Sequence, residues 1–104
     1  MIFVYITCRD KEEAIRISKT LVIEKLAGCV NIIEKMTSIY EWEGQLEVSE
    51  EVVIIAKTNE SLFTEITSRV KEIHSYKVPC ILSIAIKDGN EDYIKWLESG
   101  IKLI

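Results

Sequence analysis

Residues 36–58, MTSIYEWEGQLEVSEEVVIIAKT, carry two apolar-rich arms on either side of Glu43-Gly44-Gln45. The pattern predicts two β-strands folded back on each other. Glycine tolerates the positive φ of a tight connection, and β-branched and aromatic residues fill both arms. Cys29 to Trp42 is the outgoing strand and Leu46 to Thr58 the returning one. Paired from Val30 to Trp42, the outgoing strand reaches roughly 43 Å, whereas a compact sphere of this chain length is only about 33 Å across. An irregularity at Glu34-Lys35 shortens that reach without removing the excess. The tip therefore projects, carrying Ile39, Tyr40, Trp42, Leu46 and Val48. A bare two-stranded ribbon is marginal in water and its edges invite further pairing, so a second copy of the chain is the simplest cover.

On the N-terminal side, Ile2 to Cys8 is a continuous apolar run, as expected of a strand buried on both faces. Asp10 with Glu13 has the spacing of a capping box, and Ala14, Ile17, Leu21 and Leu26 continue at helical period up to Gly28. Beyond the hairpin, Thr58 or Asn59 caps a second helix whose stripe is Leu62, Phe63, Ile66, Val70 and Ile73. Ile81 to Ile86 is another buried strand, and Asp88-Gly89-Asn90 turns into a last helix bearing Tyr93, Ile94, Trp96 and Leu97. The order β-α-β-β-α-β plus a C-terminal helix is α+β, the ferredoxin-like split βαβ arrangement, with both main helices on one face of an antiparallel sheet. Residues 1–104 then form a single domain, and the uncovered face joins the projecting hairpin in favouring a closed oligomer.

Composition narrows the function. Thirteen Lys and Arg against seventeen Asp and Glu give a net charge of −4, with no basic stripe to offset it, which argues against nucleic acid as a partner. The N-terminal apolar run stops at Arg9-Asp10-Lys11, short of a signal segment, and no apolar run approaches membrane-spanning length. Cys8, Cys29 and Cys80 are odd in number and lack CxxC or zinc-finger spacing, as expected in a reducing compartment. A cytoplasmic protein without a membrane partner is the expectation. The only histidine, His74, and the only proline, Pro79, fall with Cys80 in one short stretch.

Several segments together resemble the CutA divalent-cation tolerance family. They are Glu24-Lys25-Leu26-Ala27-Gly28-Cys29-Val30-Asn31, Thr37-Ser38-Ile39-Tyr40-Glu41-Trp42-Glu43-Gly44, Glu51 to Thr58, His74-Ser75-Tyr76-Lys77-Val78-Pro79, and Asp88-Gly89-Asn90 with Tyr93 and Trp96. The resemblance covers almost the whole chain. It implies a ferredoxin-like homotrimer with intersubunit strand pairing, a cytoplasmic place in microbes, tolerance of copper and other divalent metals, binding of Cu(II), and no enzymatic reaction. It also implies ligand positions at Cys29 and His74, with Thr7, beside Cys8, at another. Two departures stand out, because the family usually has proline where this chain has Ser75 and an acidic residue where it has Cys80. The second exchanges a hard oxygen donor for a soft thiol.

From topology alone, the first and last strands of a split βαβ sheet are antiparallel neighbours, so Cys8 and Cys80 share a rim that His74 reaches through the extended segment before Pro79. Cys29 opens the second strand, parallel to the first, and lies at the opposite end; it joins only from a neighbouring copy. Thiolate and imidazole select copper or zinc over magnesium or calcium, so the candidate metal ligands are Cys29, His74, Cys8 and Cys80. Each has a plainer reading. Cysteine is commonly core, a histidine at a helix end satisfies carbonyls, Tyr40 and Trp42 serve as interface anchors, and Glu47, Glu50 and Glu51 form a solvated face.

Two other functions compete. One is a small-molecule regulator like the PII signalling trimers, holding an anionic metabolite between subunits; the scattered glycines and absent basic cleft weigh against it. The other is a cysteine enzyme with His74 as base, for which no oxyanion-hole pattern is visible.

Overall fold

The computed structural model describes residues 1–102. Strand β1 (Ile2–Cys8) leads through helix α1 (Lys11–Ile23) to strands β2 (Cys29–Trp42) and β3 (Gln45–Thr58). A 3-10 turn (Glu60–Leu62) and helix α2 (Phe63–Ile73) follow, then strand β4 (Ile81–Ala85) and helix α3 (Glu91–Ser99). The sheet order is β2-β3-β1-β4, every neighbouring pair antiparallel. This is the expected ferredoxin-like α+β fold.

One face of the sheet forms the core with the helices. Val4, Ile6, Cys8, Ile54 and Ala56 meet Ala14, Ile17 and Leu21 of α1 and Ile66 and Val70 of α2. Burying a Leu or Ile side chain stabilises by roughly 1.5–3 kcal/mol, so this apolar layer outweighs any single polar contact. The alternate residues Phe3, Tyr5 and Thr7, paired across to Leu82 and Ile84 on β4 and to Val53 and Ile55 on β3, point to the other face; β4, expected to be buried and to reach Ile86, ends at Ala85 and is largely exposed, because it is an edge strand.

The hairpin is as long as its sequence indicates, and the chain measures 46 × 26 × 21 Å. Register shifts between Ile33 and Met36, where Lys35 has φ 62°, which is the irregularity expected at Glu34-Lys35. The turn is tighter than expected. Trp42 already pairs with Gln45, leaving Glu43 (φ 51°) and Gly44 (φ 79°) as a two-residue loop whose positive φ values match the right-handed strand twist. Past the shift, Tyr40, Trp42, Glu47 and Glu51 share the face that continues from Thr7 and Val53, while Ile39, Leu46 and Val48 share the other.

Helix α1 corrects the expectation of a helix up to Gly28. It ends at Ile23, Lys25 takes φ 60°, and the Leu26 and Ala27 N–H groups donate back to the Leu21 carbonyl. Leu26 and Ala27 remain buried, so apolar spacing outlasts the helix. Gly28 has another duty. A Cβ there would lie 2.5 Å from the Leu97 carbonyl oxygen, so only glycine lets α3 close on this corner.

Candidate metal site and the cavity on the opposite face

Asp10 caps α1 by accepting from the Glu13 N–H at 2.8 Å, which sets Glu13 one turn into the helix and under the end of β1. Glu13 is only 1% exposed. Its Oε1 accepts from the Arg9 N–H at 2.9 Å and its Oε2 from the Ser75 N–H at 2.8 Å, with the Arg16 guanidinium 3.6 Å away. Burial by itself pushes the Glu13 carboxyl up, but the bonds from Ser75 and Arg9 prevail and hold it below the usual carboxylate range.

His74 follows α2 in extended conformation, its N–H closing the helix on the Val70 carbonyl. Its ring does not cap that helix. Nε2 donates to the Thr7 carbonyl at 2.8 Å, and Nδ1 accepts from the Tyr76 N–H at 3.0 Å. Because a carbonyl only accepts and an N–H only donates, these two bonds select the neutral tautomer with hydrogen on Nε2. Cys8 completes the group. The ligand atoms of Cys8, Glu13 and His74 lie within 4.8 Å of one another, the one such triad of His, Cys, Asp or Glu among the described residues. Burial, followed by the Glu13 charge, pushes the Cys8 thiol up to about 12.

The four sequence-predicted ligands therefore separate. Cys8 and His74 meet. Cys80 shares their rim, as its antiparallel position requires, but lies beside Thr7 on the opposite face and lines a cavity there. Cys29 pairs with Lys57 at the far end of the sheet, so within one chain it joins neither group. Sequence reasoning gave Glu13 only a capping role, although the Asp-x-x-Glu spacing that signals the cap also carries the carboxylate to the site.

The cavity, about 520 Å³, lies between the arm and the loop from Ser75 to Cys80. Glu51, expected on a solvated face, is 7% exposed and accepts the Tyr76 hydroxyl at 2.6 Å on Oε2. Burial and this bond push the Tyr76 phenol up, and burial with the Glu51 charge pushes the Cys80 thiol up as well.

A ferredoxin-like chain with a projecting hairpin and a mixed Cys, Glu and His cluster at one end of its sheet defines a class of small α+β proteins with a candidate metal site. Within that class, the family model described as CutA1 divalent ion tolerance protein matches residues 2–100, and the chain belongs to this family. The divalent-cation tolerance protein CutA of Pyrococcus horikoshii is 47% identical over 97 residues, spanning 93% of this chain and 94% of the relative. The crystal structure of that organism's CutA1 superposes with a TM-score of 0.94 at 45% identity, covering 99% of this chain and 100% of the other. The Archaeoglobus fulgidus structure, titled a periplasmic divalent cation tolerance protein, gives 0.94 at 41% identity and covers 98% and 100%. Divalent-cation tolerance is thus the general role of the family.

Proposed function

We propose that the chain is a non-enzymatic metal-response protein that takes up Cu(II) or a similar divalent ion as a homotrimer in the cytoplasm. The supporting observation is the convergence of sulfur, nitrogen and oxygen donors in the Cys8, His74 and Glu13 cluster, a set suited to copper or zinc. Each donor is held in a proton-loaded or hydrogen-bonded form. Uptake displaces the Cys8 proton and the bond from His74 Nε2 to Thr7, so affinity rises with pH. Cys29 contributes only from a neighbouring copy and Cys80 only from across the sheet.

Calorimetric titration of Cu(II) into the wild type, His74→Ala and Cys8→Ser at two pH values tests this reading. Weaker binding in both variants and proton release on uptake are expected; three identical isotherms remove the cluster from the site. The raised Cys8 and Cys80 thiols favour the non-enzymatic reading, because a nucleophilic cysteine needs a lowered pKa. All three cysteines are free, in keeping with a reducing compartment, and cell fractionation checks the location.

The trimer reading rests on the arm and on the family resemblance. Leu46 is 74% exposed, Ile39 68% and Val48 65%, an apolar strip beyond the reach of the chain's own helices. Sister chains that pair along the hairpin strands cover it, with Tyr40 and Trp42 at the junction. Trp42→Ala is expected to weaken association, read as a fall in sedimentation coefficient on dilution; an unchanged coefficient removes Trp42 as an anchor.

A further inference from the structure

We infer that His74-Ser75-Tyr76 is a strap through which ion uptake at Cys8, Glu13 and His74 loosens the root of the hairpin on the other face of the sheet, a regulation that rests on the reading of that cluster as the metal site. Neighbouring residues of the strap are tied to opposite faces. The Ser75 N–H donates to Glu13 Oε2 at 2.8 Å on the helix side, and the Tyr76 hydroxyl donates to Glu51 Oε2 at 2.6 Å on the other. Glu51 pairs with Met36, the first pair of the hairpin beyond the register shift, so Tyr76 grips the arm where it begins.

Imidazole chemistry sets the direction. The Glu13 carboxylate has lone pairs to spare, so it serves as a ligand while keeping the Ser75 bond. Each ring nitrogen of His74 has room for one partner only. Nε2 carries its hydrogen toward the Thr7 carbonyl, and Nδ1 accepts from the Tyr76 N–H at 3.0 Å. Ligation through Nδ1 displaces the Tyr76 N–H outright. Ligation through Nε2 moves the ring hydrogen to Nδ1, where two donors then face each other. By either route the bond from Tyr76 to His74 is lost. The two rings are neighbours, with centroids 4.8 Å apart, so a turn of the imidazole also pushes on the phenol. Every bond in this path lies within one chain and none needs an uncovered surface, so sister chains lying over the arm do not remove it. Coupling of this kind is reciprocal: the bond that holds Tyr76 on Glu51 opposes uptake, and releasing it favours uptake.

Cu(II) is titrated by calorimetry into the assembled full chain and into its Tyr76→Phe variant, which keeps the ring and removes only the hydroxyl. The variant is expected to bind about fivefold more tightly at the same stoichiometry, whereas a purely structural role for Tyr76 gives weaker binding from a looser site. Amide hydrogen exchange of the wild type supplies a readout that needs no variant. With Cu(II) bound, the Tyr76 N–H is expected to exchange several-fold faster, against the general slowing that a stabilising ligand brings. Unchanged or weaker binding by Tyr76→Phe overturns the inference, as does a Tyr76 amide that exchanges no faster with the ion. His74→Ala separates the two readings. If it weakens Cu(II) binding while Tyr76→Phe matches the wild type, the site stands and the strap fails; if it leaves binding unchanged, the site fails and takes the strap with it.

Discussion

Two buried glutamates sit at the same end of the sheet, one on each face, and the sequence around them gives no hint of how differently they are held. Glu13 has both oxygens occupied by backbone N–H groups, from Arg9 and Ser75, with Arg16 nearby. Glu51 has the Tyr76 hydroxyl and, among the described residues, no ion pair. Backbone donors fixed by a helix start and a loop cannot turn away, so the charge of Glu13 is spent inside the fold. The charge of Glu51 faces a cavity. The two carboxylates distinguish a structural clasp from a group held by one hydroxyl alone.

The largest expected effect falls on the clasp. Glu13→Ala leaves the Arg9 and Ser75 N–H groups without their acceptor and the half-exposed Arg16 without its partner, and losing two hydrogen bonds to a charged group costs about 2–4 kcal/mol. Because the Ser75 bond ties α1 to the segment after α2, the loss also frees the loop that carries His74. Denaturant unfolding at fixed protein concentration is the measurement. A loss below about 1 kcal/mol would place Glu13 in the same category as an exposed carboxylate and erase the contrast with Glu51.

Acid titration gives a smaller effect with a definite sign. The Glu13 carboxyl is depressed in the folded chain, so its contribution is present above the unfolded value, about 4.3, and is lost as pH falls through the folded one. Asp10 and Glu24 are also held low, by the Glu13 N–H and by Arg69 respectively, so the wild type alone cannot isolate Glu13. Glu13→Gln can. It keeps one acceptor oxygen and removes the titration, and its unfolding midpoint should fall less steeply than that of the wild type below pH about 4. Parallel curves for the two proteins would show that Glu13 does not titrate in this window.

Much of the fold was legible because its signals are local. The long hairpin follows from alternation and one glycine, the register shift from the crowding of Glu34 and Lys35, and the shared rim of Cys8 and Cys80 from the neighbour relation of the first and last strands. The site was less legible because side chains alternate between faces at every residue. Cys80 aligns with Thr7 rather than with Cys8, and that single step carries it through the sheet. His74 could be placed near the rim, yet its bond to the Thr7 carbonyl depends on a contact 67 residues apart in sequence, which no local pattern encodes. Glu51 had a readable clue in its position two residues before Val53, on the same face; what buries it is Tyr76, brought by a loop.

The smallest effect is also the sharpest test of the contrast. Glu51→Gln keeps an oxygen to accept the Tyr76 hydroxyl and removes a buried carboxylate that no ion pair among the described residues balances, so unfolding stability should change by less than about 1 kcal/mol, towards greater stability. If Glu51→Gln destabilises as strongly as Glu13→Ala, both carboxylates belong to the fold. The two faces of this rim then perform the same task.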